Sequence, residues 1–158
     1  MDHPTPTEHW RVTLRLEECY ISDAAERLLA AVVDGAGSDP VSCRMLALQL
    51  FETVDSEADA ALIRFGLHRE LRHAIFTLAY ERVDRTTRGG TQTGSISITA
   101  SLRRVLARSV NNGSISTGGL LIGLLAEDRT RLARLCAVLG LTAESVSAFL
   151  TRPGSMRR

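Results

Sequence analysis

Lysine is absent from this chain of 158 residues, and all 19 basic residues are arginine. A phosphate-binding loop of the Walker A type requires a lysine, so the glycine-rich stretch 88–94 is a linker and we expect no ATPase activity. The net charge is only +1, which provides no general attraction to nucleic acid or to an anionic membrane. Net charge therefore indicates no particular class of partner.

Cysteines, aromatic residues and long apolar runs are also scarce. Cys19, Cys43 and Cys136 are widely spaced and form no CxxC pair, which favours reduced thiols over a disulfide framework or a zinc site. Aromatic residues make up 4% of the chain, so we expect a core of Leu, Ala, Val and Ile. No apolar run reaches about 18 residues and no signal segment is visible at the N-terminus. We therefore expect a cytoplasmic protein with no membrane association.

What the chain does contain is an internal repeat. The stretch that begins at Ile21 is echoed at Ile98, 77 positions later, and the stretch that begins at Val41 is echoed at Ile115, 74 positions later. A period of roughly 75 residues is too long for a solenoid unit, and two copies are too few for an array. The repeat therefore indicates one domain made of two related halves.

Apolar residues at helical spacing predict four helices in each half. Ser22 or Asp23 is placed to cap the first helix, and Gly66 and Gly140 each follow a third helix as left-handed caps. On the fourth helix, Leu71 and Leu78 are expected to face inward with Ile75 and Ala79. Thr99, Ser116 and Thr142 are the expected caps of the second half. The predicted helices are 22–34, 42–53, 56–65, 68–83, 99–110, 116–126, 129–139 and 142–151.

Apolar residues also alternate with polar ones from Trp10 to Leu16, which predicts a strand over 10–16. Residues 95–98 alternate as well and could pair with it in a small two-stranded β element. The predicted fold class is thus mainly α, with two pseudo-symmetric four-helix repeats. The expected organisation is a tail over 1–9, one domain over 10–152 and a tail over 153–158. The domain contains repeat 1 (about 21–83), a linker (84–95) and repeat 2 (about 96–151).

Residues 98–150 resemble the Clp amino-terminal repeat. They carry Ile-Ser-Thr-Gly-Gly-Leu-Leu-Ile-Gly-Leu-Leu from Ile115 onward, then a helix that ends in Leu-Gly-Leu. The family's second helix opens with Ile-Gly-Thr-Glu-His and continues Leu-Leu-Leu-Gly-Leu-Leu, and its third helix ends in Leu-Gly. Residues 21–76 look like a more diverged copy. The resemblance implies a free-standing double Clp-N domain, the amino-terminal module of Clp unfoldases of the AAA+ class, without the ATPase.

The chain departs from the family at the residues that read phosphorylated arginine. The family's Glu-His pair is Arg44-Met45 in the first copy and Gly118-Gly119 in the second. A carboxylate that binds a guanidinium group cannot be replaced by Arg or Gly, so that recognition is not expected here. Both first helices are also predicted to be shorter than the family's.

Metal and catalytic sites are not expected. His68 and His73 are five residues apart, whereas ligands on one helix need a separation of three or four. Cys43 lies at a helix N-terminus, where the helix dipole lowers a thiol pKa. Its counterpart in the second copy is Thr117, however, so a capping role explains both. We expect no enzyme activity, no metal and no cofactor.

The function implied by the resemblance is non-catalytic protein interaction. The chain would be an adaptor or regulator that binds a Clp unfoldase or protease component, or a client polypeptide. An alternative is a DNA-binding or transcription-associated protein that uses Arg103 and Arg108. The first copy has Glu26 where the second has Arg103, so nucleic acid is the less favoured partner.

In the family, small ligands bind where the first helices of the two copies meet. That surface is bordered here by the starts of both first helices, and the predicted strand lies beside it. The expected partner-binding residues are Trp10, Arg11, Arg15, Ile21, Ser22, Ile98 and Thr99.

Overall fold

The computed structural model describes residues 11–12, 14–37, 39–80, 98–127 and 130–151. These residues are mainly helical and include one two-stranded parallel sheet. The helices in the described part of the chain are α1 (Asp23–Ala36), α2 (Cys43–Glu52), α3 (Glu57–Arg64), α4 (Arg69–Tyr80), α5 (Ala100–Ser109), α6 (Thr117–Ala126), α7 (Arg131–Val138) and α8 (Ala143–Leu150). Each begins one or two residues after its predicted start. Trp10, both expected tails and the linker 84–95 lie outside the described residues.

The ends of the helices carry the capping residues that the sequence pattern predicted. The Ser22 hydroxyl accepts a hydrogen bond from the Ala25 N–H, so Ser22 rather than Asp23 caps α1. The side chains of Thr99, Ser116 and Thr142 cap α5, α6 and α8 in the same way. Gly66 and Gly140 follow α3 and α7 with φ angles of 85° and 81°, a region that glycine enters without a steric penalty. These predictions are confirmed.

Short extended segments join the two repeats. Strand β1 (Tyr20–Ile21) precedes α1 and pairs in parallel with β2 (Ser114–Ile115), which precedes α6. A single parallel bridge joins Val41, before α2, to Ile98, before α5. The segment before the first helix of each repeat therefore pairs with the segment before the second helix of the other. This reciprocal pairing, which was not predicted, relates the two repeats pseudo-symmetrically.

The predicted strand over 10–16 is wrong. Residues 11, 12 and 14 are helical, and the Leu16 N–H donates to the Arg11 carbonyl over 2.9 Å. Leu14 and Leu16 are buried whereas Val12 is 58% exposed, so these three apolar residues do not share one face as they would in a strand. The turn ends at Arg15, which has a φ of 59°. Ile98 accordingly pairs with Val41 instead of this segment.

Helix α6 lies at the centre and packs against helices of both repeats. Leu46 on α2 and Leu120 on α6 are both fully buried at equivalent positions. Close approach of α5 to α6 depends on glycine. A Cβ atom added at Gly123 would lie 2.5 Å from the Val105 carbonyl oxygen and would also meet the Ser109 hydroxyl.

The inward face of α4 differs from the prediction. Leu71 and Leu78 are 39% and 54% exposed, whereas Arg72 is only 3% exposed. The buried stripe runs through Arg72, Ile75 and Ala79, at the spacing of one helix face. An arginine occupies a core position that the sequence pattern assigned to leucine.

Candidate functional site

Ile21, Ser22 and Thr99, three of the residues predicted to border the partner site, lie at the junction of the repeats. Ile21 is 4% exposed and belongs to the core. Ser22 and Thr99 are half-buried helix caps. Their backbone N–H groups donate to the carbonyls of Ile115 and Val41, each over 3.0 Å. Ile21, Ser22 and Thr99 thus hold the two repeats together, and Ile21 offers little surface to a partner.

A groove lies beside this junction, and we call it the seam groove. It encloses about 260 Å³ between the segment 14–19 and helix α5. Two of the predicted residues, Arg15 and Ile98, meet there. The lining residues are Leu14, Arg15, Leu16, Cys19, Ile98, Arg103, Leu106, Ala107 and Val110. Arg11 is not among them, and its guanidinium lies 3.2 Å from the Glu26 carboxylate.

The seam groove combines an apolar floor with two cationic side chains. Arg15 and Arg103 are both exposed, and neither side chain forms an ion pair with another of the described residues. Guanidinium groups bind carboxylates and phosphates through charge-assisted hydrogen bonds. The groove therefore suits a ligand that carries an apolar side chain next to an acidic group.

The other two arginines of α5, Arg104 and Arg108, have a different role. Arg104 Nε and Arg108 Nη1 lie 2.6 Å and 3.3 Å from the two carboxylate oxygens of Glu127. Glu127 is only 2% exposed, and Arg108 also donates to the Ala126 carbonyl over 2.8 Å. These contacts fasten the end of α6 to α5. The role of Glu127 was not predicted from the sequence. The only signal for it there is an acidic residue directly after an apolar helix.

Other contacts surround Gly118, one of the two positions where the Clp-N family, which the sequence resembles, has the glutamate of its Glu-His pair. A Cβ atom at Gly118 would meet the side chains of Leu150 and Glu57. The Gly118 N–H donates to the Glu57 carboxylate over 3.3 Å, and the Ala58 N–H donates to the Thr117 hydroxyl over 3.2 Å. The N-termini of α3 and α6 therefore satisfy each other, and a side chain at Gly118 would require the Leu150 and Glu57 side chains to shift.

The buried thiols are not activated. The pKa of Cys43 is raised from 9.0 to about 12, chiefly by burial and also by the nearby Glu127 carboxylate, while Arg104 acts in the opposite direction. Burial alone raises the pKa of Cys136 to about 12. The expected capping role of Cys43 and Thr117 is wrong, because both are first helical residues and the N-caps are Ser42 and Ser116.

No metal-binding group is found among the described residues. No set of three or more His, Cys, Asp and Glu side chains converges there. The three cysteines are free.

Within the described ranges no single helix is long and apolar enough to cross a membrane, although α7 and α8 together reach that length with a 66° bend between them.

Comparison with known proteins places no further constraint on the seam groove. No protein-family model matches the sequence. No curated protein matches it either.

Proposed function

We propose that this chain is a non-catalytic protein-interaction module of the double Clp-N type, and that its partner binds in the seam groove. The partner is a component of the Clp unfoldase or protease machinery, or a client polypeptide. The segment it presents carries an apolar side chain and a carboxylate or phosphate. The observation that carries the proposal is the meeting of Arg15, Ile98 and Arg103 around one apolar groove.

Two further features support the proposal. The groove lies where the reciprocal pairing brings the two repeats together, which is the surface that the resemblance indicates. The groove is also held in shape from below, because Leu14 and Leu16 are almost fully buried. A preformed site loses less conformational entropy on binding than a flexible one.

Nucleic-acid binding is the less favoured alternative. It needs a basic face on α5 whose guanidinium groups can reach phosphates. Arg104 and Arg108 are both bound to the buried Glu127 carboxylate, so only Arg103 of that group has no ion pair among the described residues. A salt-dependent mobility shift with duplex DNA that requires Arg103 and Arg108 would favour this alternative.

The proposal can be tested by affinity capture from native cells with matched charge-reversal variants. The groove variant combines Arg15→Glu with Arg103→Glu, and the control combines Arg131→Glu with Arg134→Glu on the exposed face of α7. Both variants change the net charge equally. The groove variant should lose the captured partner while the control retains it.

Site-specific crosslinking locates the contact directly. A photoreactive amino acid at Ala107, at the exposed edge of the seam groove, should crosslink to the captured partner. The same group at Arg134 should not. Crosslinking from Arg134 alone, or hydrogen-exchange protection confined to 57–80 or 131–150, contradicts the proposed site.

A further inference from the structure

A second cavity lies in repeat 1 between helices α2 and α4, and we call it the α2–α4 groove. It encloses about 350 Å³ between the two helices for which it is named. This volume falls in the range of sites that bind small molecules. Its apolar wall consists of Leu48, Phe51 and Phe76, and its polar lining consists of Glu52, Arg69, Arg72 and His73. None of these residues takes part in the seam groove.

The base of the α2–α4 groove is rigid. Arg72 Nε donates to the Leu67 carbonyl over 2.8 Å, and Nη1 donates to the Phe51 carbonyl over 3.1 Å. Nη2 donates to the Asp59 carboxylate over 2.7 Å. Since Asp59 balances its charge, Arg72 positions the two helices and leaves recognition to the exposed residues at the rim.

The polar lining is peculiar to repeat 1. In repeat 2, 74 positions later, other residues stand at the equivalent positions. Glu52 corresponds to Ala126, Arg69 to Ala143, Arg72 to Val146 and His73 to Ser147. The second repeat forms the same helices with these small and apolar residues. The repeat fold therefore does not require charged groups at this place. Arg72 has a structural role in repeat 1, whereas Glu52, Arg69 and His73 are exposed and available to a ligand.

The rim displays opposite charges that do not neutralise each other. Glu52 and Arg69 are exposed, and neither forms an ion pair with any of the described residues. His73 lies one helical turn beyond Arg69 on α4 and faces the same cavity. A ligand that matches this lining carries an anionic group, a cationic group and an apolar group.

We propose that the α2–α4 groove binds a small zwitterion with an apolar body, of the class of α-amino acids with aromatic or branched side chains. Arg69, with His73 beside it, binds the carboxylate. Glu52 binds the ammonium group, and the side chain of the ligand packs against Phe51, Phe76 and Leu48. This site is separate from the seam groove and does not depend on the proposed function.

The test is an NMR titration of the full chain with L-phenylalanine and L-leucine. Three analogues serve as ligand controls: 3-phenylpropionate lacks the ammonium group, phenethylamine lacks the carboxylate, and glycine lacks the apolar body. Saturable binding in the low millimolar range or tighter is expected, which is ordinary for ligands of this size. Shifts should be confined to α2 and α4, and each analogue should bind about tenfold more weakly or worse.

Substitutions of exposed residues distinguish a loss of ligand binding from a loss of folding. Glu52→Gln and Arg69→Ala change exposed side chains, so both should fold, and each should weaken binding of L-phenylalanine about tenfold. Arg134→Ala is the matched control and should bind like the unaltered chain. Absence of saturable binding, equal binding of either singly charged analogue, or shifts centred elsewhere would overturn the proposal. Loss of the captured partner in the seam-groove variants has no bearing on this result.

Discussion

The backbone N–H of Ser22 donates a hydrogen bond to the carbonyl oxygen of Ile115 over 3.0 Å. The equivalent residues of the opposite repeats, Thr99 and Val41, form the equivalent bond over the same 3.0 Å. Each repeat therefore supplies a backbone acceptor that the other needs at the start of its first helix. Since unpaired buried backbone groups are costly, the two repeats stabilise each other across this junction.

Truncation of the paired core leucines tests this mutual dependence. Leu46→Ala and Leu120→Ala each remove a fully buried side chain and should lower the free energy of unfolding by about 2–5 kcal/mol. Urea unfolding should show one transition for each variant, because the repeats share a core. Val138→Ala, at a position that is 84% exposed, is the control and should change stability little. Two separate transitions would show that the repeats fold independently.

Two glycine-to-alanine changes should have opposite effects. Gly123→Ala places a Cβ atom 2.5 Å from the Val105 carbonyl oxygen, and overpacking of this kind costs about 1–3 kcal/mol. Gly35→Ala, within α1, places its Cβ atom in open space and should stabilise the helix by about 0.5–1 kcal/mol. Thermal unfolding of both variants measures the difference. Equal effects would contradict the close packing of α5 on α6.

Stability should fall at alkaline pH. The pKa values of Cys43 and Cys136 rise from 9.0 to about 12 on folding, and burial also raises the pKa of Tyr80. Below about pH 9 both the folded and the unfolded chain keep these protons, so the groups do not alter stability with pH. Between about pH 9 and 12 only the unfolded chain releases them, which lowers the free energy of unfolding by up to roughly 1.4 kcal/mol per pH unit for each thiol.

Urea unfolding between pH 7 and about pH 11 measures that slope. Cys136→Ser should reduce the alkaline slope, whatever it does to stability at neutral pH. Val138→Ala, a non-titrating change at an exposed position, is the control and should leave the slope unchanged. An undiminished slope in the Cys136→Ser variant would show that its thiol is not protected by the fold.

Phosphoarginine should not bind at the positions that the Clp-N family uses. In the Clp-N family, which residues 98–150 resemble, an acidic residue stands where this chain has Arg44 and Gly118, and a Cβ atom at Gly118 would meet Leu150 and Glu57. Calorimetric titration with phosphoarginine should give no saturable heat, and arginine and inorganic phosphate serve as ligand controls. Saturable binding that is lost on changing Arg44 or Thr117 would contradict this expectation.

Local chemistry explains why the helices were predictable. Hydroxyl side chains such as Ser22 and Thr142 accept hydrogen bonds from the first turn of their own helices. Gly66 and Gly140 adopt positive φ angles where α3 and α7 end. These signals act over a few residues, so they can be read without knowledge of the tertiary structure. The internal repeat then predicted that the two sets of helices would be equivalent.

Long-range contacts explain the errors. The segment 11–16 alternates like a strand, but it forms a helical turn because Leu14 and Leu16 pack into the core together. Arg72 is buried because the carbonyls of Leu67 and Phe51 and the carboxylate of Asp59 converge on it. Spacing along α4 cannot reveal partners that come from α2, α3 and the turn between α3 and α4.

By itself, the sequence determined the helices, their caps and the duplication, because each depends on neighbouring residues or on comparison of the chain with itself. The resemblance to the Clp-N repeat predicted one surface that included Arg15 and Ile98, and both residues line the seam groove. Only the tertiary structure decided that Ile21 is buried, that Arg103 belongs to the seam groove and that Glu127 binds Arg104. The physical reason is that burial and ion pairing depend on which helices cross, and the reciprocal pairing of the two repeats sets those crossings.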